Sequence, residues 1–209
     1  MNYDWEFVKK TVKAYQKESR YSHTLGVSEE AYELGKIFIP EKLKKLYLTG
    51  LLHDITKDFD KNAHLEMCKE FGLKVDKDLA PKLYHSKTGA SFAKKIFGED
   101  YVDSEVFDAI LYHTTGRANM TLFEMLIYLA DYIEKGRTFE DCVELRKYFY
   151  LNIENANTYE DKLEVLRKTM LLSFDMTIKC LISEGKQIDN DTISARNYFL
   201  NFKLKEKEI

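Results

Sequence analysis

Only two prolines, Pro40 and Pro81, stand in 209 residues, and this scarcity of helix breakers limits the fold more than any other feature. Proline inside a helix removes a backbone donor and clashes with the preceding turn, so long windows here are free to be helical. The apolar residues use that freedom. Trp5, Val8, Val12 and Tyr15 recur at steps of three and four, as do Leu43, Leu46, Tyr47, Gly50 and Leu51, and again Leu122, Met125, Leu126 and Leu129. That is the period of a helix face, not of a strand. Thr121-Leu-Phe-Glu124 has capping-box form, and Thr138 and Thr158 open two further periodic stretches. No alternating strand with a hairpin turn is found. With helices averaging about 11–12 residues, the expectation is an all-α bundle of about eight to ten helices.

Residues 1–209 read as a single domain, with a core at about 10–137 and a helical extension at about 138–209 whose longest helix runs from Thr158 to Glu184. The extension holds no histidine; packing, a lid or an oligomer contact, including a homodimer, would each suit it. Lysine plus arginine number 32 against 35 acids, a net charge of −3, which lacks the basic excess of a nucleic-acid binder. Cys68, Cys142 and Cys180 are odd in number and widely spaced, so they suit reduced thiols in the cytoplasm rather than a disulfide framework or a thiolate metal site. The opening residues carry charges where a signal peptide needs an apolar stretch, and no run of about 18 apolar residues suggests a membrane span.

Five histidines are present, and four lie in distinctive strings: Arg20-Tyr-Ser-His23, Leu51-Leu-His53-Asp54-Ile-Thr-Lys57-Asp58, Leu83-Tyr-His85-Ser and Tyr112-His113-Thr-Thr-Gly116. The fifth, His64, reads as part of an amphipathic surface helix and is left out. Adjacent residues on a helix point about 100° apart, so His53 and Asp54 do not form a compact chelate on a regular helix; the geometry suits an aspartate bridging toward a second ion. Imidazole with carboxylate suits iron, manganese, cobalt or zinc. Two ions about 3.5–4 Å apart would hold a bridging hydroxide and clamp an in-line displacement at phosphorus. His23 or His85 taken alone reads first as a core residue with satisfied nitrogens. Asp131, in Leu129-Ala-Asp131-Tyr-Ile, requires either a metal or a basic partner, because an uncompensated buried carboxylate is costly.

Taken in order, these strings and Asp131 resemble the HD superfamily, whose pattern is a histidine, a later His-Asp pair and a distal aspartate. The resemblance is closer to the bacterial YqeK family of HD proteins, through Leu83-Tyr-His85-Ser, Ala109-Ile-Leu-Tyr-His113-Thr-Thr-Gly116-Arg117 and Tyr128-Leu-Ala-Asp131-Tyr-Ile-Glu134-Lys-Gly-Arg137. It covers residues from about 10 to about 185; Lys135 stands where the pattern expects proline, outside the ligand set. The resemblance implies an HD-type helical domain and a hydrolase cutting diadenosine tetraphosphate symmetrically into two ADP. It implies that His23, His53, Asp54 and Asp131 hold one ion, and that His85 and His113 hold a second with Asp54 bridging. The ions would be two divalent or mixed-valence transition metals, iron first, with manganese or cobalt as alternatives. A nucleotide-sensing or regulatory module, or an HD phosphohydrolase acting on another small nucleotide, stays open; the cyclic-dinucleotide branch is disfavoured because no Tyr-Pro pair exists.

Flanking residues supply further candidates. Lys57 would place positive charge beside a phosphate and Asp58 would orient a water or protonate the leaving oxygen; both read otherwise as solvated loop charges. Arg20, Thr114, Thr115, Gly116, Arg117 and Arg137 are the candidate substrate contacts, arginines as phosphate forks and the Thr-Thr-Gly segment through hydroxyl and backbone donors. Arg20 reads otherwise as a surface salt bridge, Gly116 as a helix terminator, and Arg137 as an ion pair with Glu134.

Overall fold

The computed structural model describes residues 3–74 and 83–201; Pro81 lies outside them. Among the described residues there are ten α-helices and no strand, so the all-α expectation holds. The chain divides into two compact units, Met1–Thr114 with Thr121–Gly136, and Thr115–Met120 with Arg137–Ile209.

The first unit contains α1 (Trp5–Tyr15), α2 (Glu18–Phe38), α3 (Leu43–Leu52), α4 (Lys61–Glu70), α5 (Tyr84–Phe97), α6 (Ser104–Tyr112) and α7 (Leu122–Ile133). Local signals set the helix starts. Asp4, Asp60 and Asp103 each accept a backbone N–H from the first turn of α1, α4 and α6, which satisfies a donor that the helix itself leaves unpaired. Thr121 and Glu124 form the reciprocal capping box at α7. At the centre lies α3, in which Leu46, Leu48, Thr49, Gly50, Leu51 and Leu52 are all buried, so it is covered on more than one face. It packs against α1, α2, α6 and α7.

The α2–α3 contact is close because two glycines permit it. A Cβ on Gly35 would run into the Leu46 and Leu43 side chains, and one on Gly50 would lie 2.6 Å from Ser28 Cα and 2.9 Å from Ser28 N. The Leu side chains can move; the α2 main chain cannot without shifting the helix.

The second unit contains α8 (Glu140–Glu154), α9 (Tyr159–Ser183) and α10 (Asn190–Asn201). Cys142, Leu145, Phe149 and Ile153 form the buried stripe of α8, and Phe174 of α9 stacks on Phe199 of α10 with ring centroids 5.7 Å apart. Thr158 caps α9 through a second capping box with Asp161. Thr138 does not cap α8: the N-cap is Phe139, with no side-chain hydrogen bond. A threonine near a periodic stretch marks a start only when the chain turns at that residue, and here it turns one residue later.

Gly50→Ala is expected to destabilise the protein by about 1–3 kcal/mol through overpacking, read as a lower midpoint in urea unfolding. An unchanged midpoint would show that α2 and α3 can separate without loss.

Candidate metal centre

Two histidines end helices in the same way. His53 follows the last residue of α3 and its Nδ1 lies 2.7 Å from Gly50 O; His113 follows α6 and its Nδ1 lies 2.7 Å from Ile110 O. A carbonyl oxygen only accepts, so each Nδ1 carries a proton and, in the neutral ring, each Nε2 presents a lone pair. On a continuous helix His53 and Asp54 would diverge. Here α3 stops at Leu52, and His53 Nε2 comes to 3.5 Å from Asp54 Oδ2.

Around Asp54 the other strings converge. His23, on α2, has Nε2 2.9 Å from Asp131 Oδ1 and 3.9 Å from Asp54 Oδ2. His53 Nε2 is 3.8 Å from Asp131 Oδ1. His85, in the first turn of α5, has Nε2 3.2 Å from Asp54 Oδ1 and 3.0 Å from His113 Nε2, and His113 Nε2 is 3.5 Å from the same Oδ1. Ligand atoms of His23, His53 and Asp131 lie within 4.8 Å of one another, as do those of His53, Asp54 and His113.

The donor set fits a cation. His53 is fully buried and its Nε2 has no hydrogen-bond partner, although carboxylate oxygens face it. Lone pairs from His53, His113 and Asp54 thus point at one another, which is repulsive until positive charge stands between them. Protonation is a poor substitute. Burial pushes His53 down from 6.5 to about 4, despite the pull of Asp54 and Asp131. Burial, with repulsion from Lys57 and His113, outweighs the help of Asp54 and pushes His85 down from 6.5 to about 3. Burial acts to raise Asp54, but His53, His113, His85 and Lys57 together hold it well below the usual carboxylate range. Neutral imidazoles around an ionised carboxylate are the protonation states that a divalent transition metal takes.

Other candidates fall at varying places. Arg20 Nη1 donates to Asp54 Oδ2 at 2.9 Å, so its partner is the centre itself rather than the surface. Lys57 Nζ stands 2.9 Å from His85 Nε2 and 3.9 Å from Asp54 Oδ1. Thr114 Oγ1 lies 3.2 Å from His85 Nε2 and 3.1 Å from His113 Nε2. Asp58 turns to the start of α2, where its Oδ2 accepts the Lys17 N–H at 2.8 Å. Thr115, Gly116, Arg117 and Arg137 belong to the second unit. There the Thr115 hydroxyl donates to Gly116 O, Gly116 has φ +63° with the Phe174 ring against its Cα, and Arg137 O accepts from Arg146.

Two residues depart from the sequence reading. His64 is not on a surface: it is 4% exposed, and its Nδ1–H donates to Thr88 Oγ1 at 2.8 Å while that hydroxyl donates to Tyr84 O. Together with Cys68, four residues on, it forms the buried face of α4 against α5. Glu134 was read only as an ion-pair partner, yet its Oε1 lies 3.0 Å from His23 Nδ1 and it is 3% exposed. Its place three residues beyond Asp131 is the one signal in the sequence that pointed to it.

The HD domain model matches residues 20–136, a span that takes in His23, His53, Asp54, His85, His113 and Asp131. The chain belongs to the HD-domain family. Within it, this HD protein is 32% identical over 190 residues to a symmetrical bis(5'-nucleosyl)-tetraphosphatase of Halalkalibacterium halodurans, covering 90% of this chain and 93% of that one. A Bacillus subtilis protein of the same name is 30% identical, with 91% and 94% covered. The crystal structure of a predicted HD superfamily hydrolase involved in NAD metabolism from Clostridium acetobutylicum superposes with a TM-score of 0.82 at 36% identity, over 97% of this chain and 100% of that one. The YqeK resemblance is thus matched by relatives along nearly the whole length. No described helix of the HD protein is long and apolar enough to cross a membrane.

Two outcomes follow from the buried imidazoles. An unfolded chain takes up protons on His53 near pH 6.5, whereas the folded one resists until about 4, so the stability this neutral ring contributes is complete above pH 6.5 and is lost as pH falls toward 4. In chelator, the urea midpoint is therefore expected to drop across that window; a flat profile would mean that the rings charge freely in the folded state. His64→Ala is expected to cost about 1–3 kcal/mol, by removing the hydrogen bond to Thr88 and opening a void, while metal content measured by elemental analysis stays unchanged.

Proposed function

We propose that this HD protein hydrolyses diadenosine tetraphosphate to two ADP, with the chemistry centred on Asp54. The observation that carries the reading is the cluster of neutral imidazole lone pairs and ionised carboxylates around Asp54, an arrangement that asks for divalent cations. The names of its full-length relatives supply the substrate. His23, His53, Asp54 and Asp131 would hold one ion and His85 and His113 a second, with Asp54 shared, iron being the first choice and manganese or cobalt the alternatives. When bound, such ions lower the pKa of a coordinated water and neutralise charge on phosphate oxygens.

The protein's own groups do the rest. Asp54 stays ionised at every working pH because its neighbours hold it down. Arg20 anchors one Asp54 oxygen, while its buried Nε, which lacks a hydrogen-bond partner, is left to a phosphate oxygen. Lys57 sets an ammonium beside His85, where it opposes the negative charge that grows on the leaving diphosphate. Thr114 offers a hydroxyl at the same edge. Asp58 would orient a water through the oxygen not taken by Lys17. In the balanced reaction a water oxygen bonds to a phosphorus flanking the central bridge, the bond to that bridge oxygen breaks, and the departing ADP oxygen accepts a proton.

The test is product analysis of purified protein with diadenosine tetraphosphate and Fe²⁺, Mn²⁺ or Co²⁺. ADP as the sole product is expected, with Asp54→Ala lowering kcat/KM by at least about 10²–10³-fold, the scale of losing one electrostatic anchor at a reacting centre. AMP plus ATP would overturn the symmetric cut. No cleavage with any of the three ions would favour a nucleotide-sensing role.

A further inference from the structure

We infer that Glu134 is a positioning residue for His23: it fixes which ring nitrogen carries the proton, aims Nε2 at Asp131, and raises the ring's basicity toward a metal. The inference rests on the metal reading of the centre and adds a residue to it. Three rings of the centre have an acceptor at Nδ1, while His85 Nδ1 faces the Lys57 ammonium at 3.3 Å. His53 and His113 lean on neutral backbone carbonyls of their own helices. His23 instead leans on a buried carboxylate 111 residues away in sequence, Glu134 Oε1 at 3.0 Å. A carboxylate behind an imidazole holds the tautomer more firmly than a carbonyl dipole and makes the far nitrogen a stronger donor.

Glu134 is built in. Its other oxygen, Oε2, accepts the Gly136 N–H, so both ends of the carboxylate are tied. Two glycines clear space for it. A Cβ on Gly26, one turn after His23 on α2, would lie 2.5 Å from Glu134 Oε2 and 3.1 Å from its Cδ; a Cβ on Gly136 would lie 2.9 Å from Oε2 and 3.1 Å from Oε1. Neither glycine has a positive φ, and glycine inside a helix is unfavourable for the backbone. Room for Glu134 is the reason the geometry gives for Gly26.

The experiment is Mn²⁺ titration of metal-stripped protein, followed by electron paramagnetic resonance of the free ion, with thermal unfolding measured in chelator and in saturating Mn²⁺. Glu134→Gln keeps the shape and removes the charge. It is expected to weaken Mn²⁺ binding by about 10–100-fold, to leave the Tm in chelator unchanged or higher, and to shrink the Tm gain on adding Mn²⁺. Gly26→Ala, which displaces the carboxylate without deleting it, should weaken binding likewise. The double variant should bind no worse than Glu134→Gln alone, because both act through one contact. Wild-type Mn²⁺ affinity in Glu134→Gln overturns the inference, and so does a lowered Tm in chelator with the Mn²⁺ gain intact, the mark of a merely structural group. A wild-type protein that takes up no Mn²⁺ overturns the metal reading itself, and this inference with it.

Discussion

Asp54 is an ionised carboxylate shut away from water, held by Arg20 at one oxygen and faced by two imidazoles whose protons point elsewhere. His53 and His113 have both committed their hydrogens to backbone carbonyls, so toward Asp54 they present only electron pairs. A folded chain tolerates such a concentration of acceptors when cations are close, and Arg20 and Lys57 supply part of that charge. The surrounding helices hold the acceptors together against their mutual repulsion. Hydrophobic burial of α3 and α7 therefore does more than stabilise: it holds a site that is electrostatically incomplete by itself.

The helices achieve this through where they stop. His53 and His113 come immediately after α3 and α6, Asp131 lies in the last turn of α7, and His85 lies in the first turn of α5. Side chains at helix ends escape the fixed angular spacing of the helix interior, which is how His53 and Asp54, consecutive in sequence, reach the same point. His23 alone comes from the interior of a long helix, and it alone takes its orientation from a distant carboxylate.

Much of this was legible in the chain. Scarce prolines and stripes at steps of three and four gave the helical class, and Thr121 and Thr158 announced real caps, although Thr138, with Asp141 at the same spacing, does not cap. The strings at His53-Asp54, His85 and His113 became ligand candidates only when taken in order with Asp131 and set beside the HD pattern, since a histidine alone reads as a core residue. What could not be read depends on contacts between distant segments. Glu134 matters because α2 brings His23 to it, and its spacing from Asp131 hints at the site without naming that partner. His64 looked solvent-facing among Asn62 and Glu66, and its burial comes from Thr88 and Tyr84 on α5, which supply the acceptor and the stacking ring. The turn at Phe139 rather than Thr138 is a choice between adjacent residues that local propensity leaves open.

The hydrogen bond from each terminal imidazole back to the carbonyl three residues earlier also fixes a length. In α3 and α6 the ring closes on its own last turn, so adding or removing one residue ahead of His53 or His113 would swing the nitrogen around the axis by about 100° and slide it along by about 1.5 Å. Packing alone would accept such a change at many surface positions. These two helices instead have their residue count set by the ring that closes on each last turn, and insertions or deletions in related chains should fall in the connections around them, leaving the spans from Gly50 to His53 and from Ile110 to His113 at constant length.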